Sequence, residues 1–173
     1  MKVIFLDFDG VLNSTRTYLA REKIISSSKV QQRFLTHGEI DSGFDIVAVG
    51  LLRRLVDKLG AVIVISSSWR YSMSIEMIRR MFTNEFEWED ADDVIIGMTP
   101  RSNTGRRGEE IQNWIDNKTV GISNFQYVII DDSSDMEDHQ FDRFVKTDYD
   151  EGLSYKDYNK VRELFGDTSM ELL

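Results

Sequence analysis

The sequence predicts an α/β domain of three layers, with a central, mainly parallel sheet between helices. Three short unbroken apolar runs carry that reading: Val3-Ile4-Phe5-Leu6, Ala61-Val62-Ile63-Val64-Ile65 and Tyr127-Val128-Ile129-Ile130. Continuous apolar character, rather than alternation, marks strands covered on both faces. Long connections with helical periodicity separate the runs, as right-handed crossovers between parallel strands require. Each run also ends in a polar group: Asp7-Phe8-Asp9-Gly10, Ser66-Ser67-Ser68 or Asp131-Asp132. With 173 residues and no Pro/Gly/Ser linker, residues 1–173 read as one domain.

Taken in order, the first strand runs into residues 14–44, which are polar and lack sustained periodicity, although Val30, Phe34 and Leu35 could share a short helical face. A segment of that length is a lid, a binding loop or a mobile surface loop. Its position directly after Asp7 and Asp9 favours a small flap inserted after the first strand. Asp45 can cap a helix with Leu51, Leu52, Leu55, Val56 and Leu59 on one face, ended by Gly60. After the second strand, Ser72 or Ser74 can start a helix buried through Ile75, Ile78 and Phe82. The acidic stretch Glu85 to Asp93 reads as a solvated loop or helix end, and Val94-Ile95-Ile96-Gly97 as a short strand before Pro100.

Residues 101–107 are polar and basic. Gly108-Glu109-Glu110 then opens a helix with acids in its first turn and Ile111, Trp114 and Ile115 facing inward. Phe144 to Thr147 reads as the last strand. Ser154 caps a final helix with Tyr158, Val161, Leu164 and Phe165 on its apolar side, closed by Gly166.

A formal charge of −9 argues against a general phosphate-backbone binder, which needs clustered Lys and Arg to displace counterions, but leaves room for a local basic pocket. With 0 cysteines, thiolate metal sites, disulfides and thiol nucleophiles are excluded. No apolar run is long enough to span a membrane, and the N-terminus enters a strand without a signal-like region, so a cytoplasmic protein is expected.

A lone Asp-x-Asp-Gly is an ordinary turn. Carboxylates at several neighbouring strand ends are a different matter, because ligands bind outside the carboxyl ends of parallel strands. Acids gathered there repel one another unless a cation joins them, and an all-oxygen donor set without His or Cys points to Mg²⁺. Such a cation can screen and polarise a phosphate. A carboxylate can serve as nucleophile, while serine hydroxyls and an arginine hold the phosphoryl oxygens.

The ordered set Asp7-Phe8-Asp9-Gly10-Val11-Leu12, a strand-end Ser, a basic residue at the start of a later helix, and Asp131-Asp132 resembles the four motifs of haloacid dehalogenase (HAD)-like phosphatases. Ser67-Ser68-Trp69-Arg70, Arg107-Gly108-x-Glu110-Ile111 and Asp131-Asp132-x-Ser134-Asp135-Met136 are similar to small phage and bacterial members. Those are related to polynucleotide kinase 3′-phosphatase domains and RNA-repair phosphatase modules. The resemblance covers essentially the whole chain and implies a Rossmann-like, HAD-like fold and a Mg²⁺-dependent phosphomonoesterase. It makes Asp7 the nucleophile and Asp9 the general acid and base, with Asp9 reaching the metal through its backbone carbonyl. Asp131 and Asp132 complete the metal site with Asp7. Phosphate is bound by Ser66 or Ser67, and by Arg107 or Arg106 where the superfamily usually has Lys.

Asn13, Arg16 and Arg70 are weaker candidates for substrate contact, Arg70 being equally readable as a structural ion pair. Trp69 could stack on a base or pack at the sheet edge, and Asp135 is either an outer metal residue or a cap for the segment that follows it. His37 and His139 lack partner motifs and read as surface residues. A receiver domain also gathers acids around Mg²⁺, but it needs an adjacent acid pair after the first strand and a late Lys. The expected partner is a phosphorylated substrate, a nucleotide or a nucleic-acid end, with no membrane partner. The alternatives are a silent binding domain of the same fold, or a phosphatase of a non-nucleotide metabolite. Arg16, Arg21, Lys23, Lys29 and Arg33 make the 14–44 segment locally basic, so it is expected to gate a phosphorylated ligand.

Overall fold

The computed structural model describes residues 1–25 and 42–169. Among these residues five strands form one sheet in the order β3-β2-β1-β4-β5, every neighbouring pair parallel. The strands are β1 (Lys2–Leu6), β2 (Ala61–Ile65), β3 (Ile95–Met98), β4 (Gln126–Asp131) and β5 (Phe144–Lys146). From β1 the chain adds strands outward to β3 on one side, then crosses to β4 on the other. That reversal puts a switch point at the C-terminal ends of β1 and β4.

The helices are α1 (Thr15–Ile25), α2 (Ile46–Leu59), α3 (Ile75–Phe86), the single turn α4 (Ala91–Val94), α5 (Arg107–Lys118) and α6 (Tyr155–Leu164). Alternate strand residues divide the core between two faces. Ile4, Leu6, Ile63, Ile65, Val128 and Ile130 pack with Leu52 and Leu55 of α2, Ile78 and Phe82 of α3, and Tyr158 and Val161 of α6. Val3, Phe5, Val64 and Ile129 pack instead with Ile111 and Trp114 of α5. Both sheet faces are therefore covered, and each fully buried Ile, Leu or Phe contributes roughly 1.5–3 kcal/mol.

The caps fall where expected. Asp45 accepts from Val47 N, Ser74 accepts from Met77 N, and Ser154 with Asp157 forms a capping box. Two expectations need correction. Residues 14–44 show no sustained helical periodicity, yet Thr15–Ile25 is helical, and residues 26–41, with the Val30/Phe34/Leu35 face, lie outside the described residues. The returning chain is fastened by Ser42, which donates its N–H and hydroxyl to Glu85, and by Phe44, whose ring meets Phe8, Trp69, Phe82 and Phe86. The acidic stretch from Glu85 is likewise not simply solvated. Trp88 is buried against Phe82, and a helical turn at Ala91–Val94 leads into β3. A single large aromatic outweighed the surrounding charge.

Candidate active site

Strand register alone assembles the site. Leu6 pairs with Ile65 and Ile130, and Ile65 pairs with Met98. One residue further on, Asp7 N donates to Ile130 O, Ser66 N to Leu6 O and Thr99 N to Ile65 O. Thr99, Ser66, Asp7 and Asp131 thus stand in one row across four adjacent strands. Paired residues of parallel strands point to the same face. Asp7 shares the phase of Val3 and Phe5, Ser66 that of Val64 and Asp131 that of Ile129, so the row faces α5. Arg107, the first residue of α5, reaches into it.

All four row members are at least nine-tenths buried, at 5% exposure or less. Five buried side-chain atoms among the described residues lack a hydrogen-bond partner: Asp7 Oδ1, Ser66 Oγ, Thr99 Oγ1, Asp131 Oδ2 and Arg107 Nη1. They are the row and the arginine above it. Arg107 Nη1 lies 3.2 Å from Asp7 Oδ1 and 3.0 Å from Asp131 Oδ2, a charge contact in which these three atoms lack a well-aligned hydrogen bond. Leaving so many buried polar groups unsatisfied is costly, and a native fold accepts it where a ligand supplies the partners.

The electrostatics show the same tension. Burial, and then the neighbouring Asp7 charge, push the Asp131 carboxyl up to about 7, with Arg107 pulling it back. Asp132 is raised by the same two causes in the same order. Burial opposes the charge on Arg107, but Asp131 and Asp7 overcome it and raise its pKa. Carboxylate oxygens of Asp7, Asp131 and Asp132 lie within 4.8 Å of one another. This all-oxygen set with orphaned ligand atoms fits Mg²⁺.

Asp9 is held apart from that cluster. Its Oδ1 accepts from Asn13 Nδ2 at 2.9 Å and its Oδ2 from the Trp69 indole N–H at 3.0 Å. Asn13 also accepts from Gly10 N through its side-chain oxygen, and the Thr147 hydroxyl donates to Gly10 O, closing the loop after β1. Gly10 has φ +71, and a Cβ there would lie 2.7 Å from Asp132 Cβ and Cγ. Only glycine lets the loop pass so near the acid.

The two serines separate. Ser66 Oγ is unpartnered, whereas Ser67 Oγ accepts from Trp69 N at the start of a 3₁₀ turn over Ser68–Tyr71. The two arginines separate as well. Arg106 is half exposed and pairs with Asp135 and Glu137, away from the row that Arg107 enters. The Asp135 carboxylate accepts from Arg107 N, so it caps helix α5, which precedes it in the chain. Arg16 pairs at the surface with Asp45 and Glu151, and Asn13 turns inward to Asp9.

Arg70 is buried in an ion pair with Glu110, and it also donates to the carbonyls of Ser66, Ser67 and Thr99 and to the Tyr71 hydroxyl. These contacts engage the Arg70 guanidinium with protein groups. Trp69 packs against Phe8 and Phe44 rather than standing free for a base, and His139 meets Gln112 at the surface. His37 lies outside the described residues. Sequence reasoning missed Thr99 and the Trp69 bond to Asp9. Thr99 could have been found by extending the phase of β3 two residues beyond Gly97.

A wholly parallel sheet carrying Asp-x-Asp at its central strand, Ser at the next and an acid pair at the other neighbour defines a HAD-like α/β domain. The chain belongs to the family described as the HAD domain in Swiss Army Knife RNA repair proteins, whose model matches residues 3–158. No curated protein and no solved structure gives a significant match. No helix among the described residues is long and apolar enough to cross a membrane.

Proposed function

We propose that this domain is a Mg²⁺-dependent phosphomonoesterase acting through an aspartyl-phosphate on a nucleotide or a nucleic-acid terminal phosphate. The observation that carries the reading is the convergence of unsatisfied buried groups from β1, β2, β4 and α5 on one place. Membership in an RNA-repair HAD family supports the substrate class. Asp7 attacks phosphorus through its carboxylate. As the bond to the leaving oxygen breaks, Asp9 delivers its proton there. Asp9 then takes a proton from water, which attacks the aspartyl-phosphate, releases inorganic phosphate and restores Asp7.

Ser66 and Arg107 hold phosphoryl oxygens as charge shifts, and a bound phosphate gives Ser66 Oγ and Arg107 Nη1 hydrogen-bond partners. Held by Asp7, Asp131 and Asp132, a Mg²⁺ ion would offset the repulsion between acid and phosphate and polarise the phosphoryl group. Trp69 and Asn13 keep the Asp9 carboxyl off the metal side, free for proton transfer.

The test is phosphate release by the purified chain from a panel of phosphomonoesters that includes nucleotides and oligonucleotides with 3′- or 5′-terminal phosphate. Activity should require Mg²⁺ and fall to background in Asp7→Asn with the fold intact. Turnover undiminished by that substitution would remove the nucleophile assignment. A folded wild-type protein silent on every ester would favour a binding role instead.

A further inference from the structure

The Thr99 end of the polar row has no part in the chemistry proposed above. Its hydroxyl is buried, unpartnered and in register with Ser66. Neighbouring strands lie about 4.8 Å apart, so Thr99 stands roughly 10 Å along the sheet from Asp7. That separation is too great for Thr99 to share the oxygens of a phosphoryl group held on Asp7.

Two residues on, Arg101 is exposed, with its guanidinium carbon 4.8 Å from the centre of the Tyr71 ring. The ring is fixed in turn, because the Tyr71 hydroxyl donates to Glu110 and the Arg70 guanidinium carbon lies 4.4 Å from the ring centre. Among the described residues Arg101 pairs with no carboxylate, although the chain carries a net charge of −9. A cation laid on an aromatic face keeps its N–H fork open for an oxyanion. Glu110 also accepts from Ser102 N, tying the loop that carries Arg101 to the helix that carries Arg107.

We infer that Thr99 and Arg101 form a second anion subsite at the β3 edge, which takes the internal phosphodiester of a nucleic-acid end whose terminal phosphate lies over Asp7. The inference rests on the phosphatase reading for what lies over Asp7. The subsite makes a polynucleotide end, rather than a mononucleotide, the better ligand.

Binding decides it independently of turnover. In the Asp7→Asn background, isothermal titration with Mg²⁺ present compares a nucleoside monophosphate with a dinucleotide that carries the same terminal phosphate, in 3′ and 5′ forms. The dinucleotide should bind more tightly by roughly tenfold, the worth of one charge-assisted hydrogen bond. Arg101→Gln should abolish that preference. Thr99→Val, which keeps the shape, should reduce it, and Thr99→Ser should restore it. Equal binding of the two ligands, no binding of either, or a preference untouched by Arg101→Gln overturns the subsite. The phosphatase reading stands or falls separately, on hydrolysis of a generic phosphate ester by the wild-type chain.

Discussion

Helix α5 carries two charges one turn apart, the half-buried Arg107 and the buried Glu110, and their surroundings are opposites. Glu110 is paired with Arg70 and accepts from Ser102 N and Tyr71 Oη, while Arg70 donates to three backbone carbonyls. Charge and hydrogen-bonding capacity are both used, and the cluster ties the ends of β2 and β3 to α5. Arg107, Asp7 and Asp131 are as close to one another as ion pairs, yet Arg107 Nη1 and the two carboxylate oxygens it approaches have no hydrogen-bond partner. Burying a charge is tolerable only with such partners. The first cluster is therefore complete as protein, and the second is complete only with a ligand.

The largest expected effect breaks the complete cluster. Glu110→Ala leaves the Arg70 guanidinium buried without its acid, and should cost about 3–5 kcal/mol in denaturant unfolding. Asp7→Asn, measured in EDTA, should cost about 1 kcal/mol or less, because it also removes repulsion from Asp131 and Asp132. Similar losses for the two variants would erase the distinction between a structural and a ligand-seeking cluster.

A smaller effect sharpens the comparison through pH. The Asp131 carboxyl is raised from 3.8 to about 7 by burial and by Asp7. Between those values the folded protein keeps a proton that the unfolded chain has released, so this group makes metal-free stability fall as pH rises across that window and level off above it. A Mg²⁺ ion held by Asp7, Asp131 and Asp132 would need them ionised, so its stabilising increment should grow over the same window. Melting curves in EDTA and in Mg²⁺ across that range read both slopes. Asp131→Asn should flatten the metal-free slope, and a slope unchanged in that variant would assign it to other groups.

The same contrast explains how far the site could be read in advance. Unbroken apolar runs at β1, β2 and β4 forced a parallel sheet, and the sheet forced Asp7, a strand-end serine and Asp131 to one edge, so both were legible. Ser66 and Ser67 are adjacent and chemically identical, and what separates them is the start of a 3₁₀ turn that draws only Ser67 to Trp69 N. Arg106 and Arg107 differ only in their position at the start of α5, and one residue of rotation sends the first to Asp135 and the second to the acids. Thr99 shares the phase of Gly97, so its face was legible, but its level with Ser66 was not, because the register shifts between Ile63 and Val64 where β3 joins. Periodicity reports a face, whereas a shift in pairing is a tertiary fact.

Asp9 stands between the two extremes: its carboxylate accepts one bond on each oxygen, from Asn13 and from Trp69, and among the described residues it forms no ion pair. If it is the proton donor, Asp9→Asn should slow turnover by about 10²–10⁴-fold. Removing only one of its partners should do far less. Trp69→Phe deletes the indole N–H but keeps an aromatic ring against Phe8 and Phe44, so packing is preserved and a single hydrogen bond is lost. Asn13→Ala would be a poorer probe, because Asn13 also accepts from Gly10 N and its loss disturbs the loop itself. The expected result for Trp69→Phe is a fall in kcat of several-fold, about 1 kcal/mol, with KM and melting temperature nearly unchanged. That split is what a proton-transferring Asp9 predicts, because such a group does not hold the phosphate. A rise in KM at constant kcat would instead put Trp69 on the substrate, and an unchanged kcat would mean that Asn13 alone suffices to hold Asp9 in place.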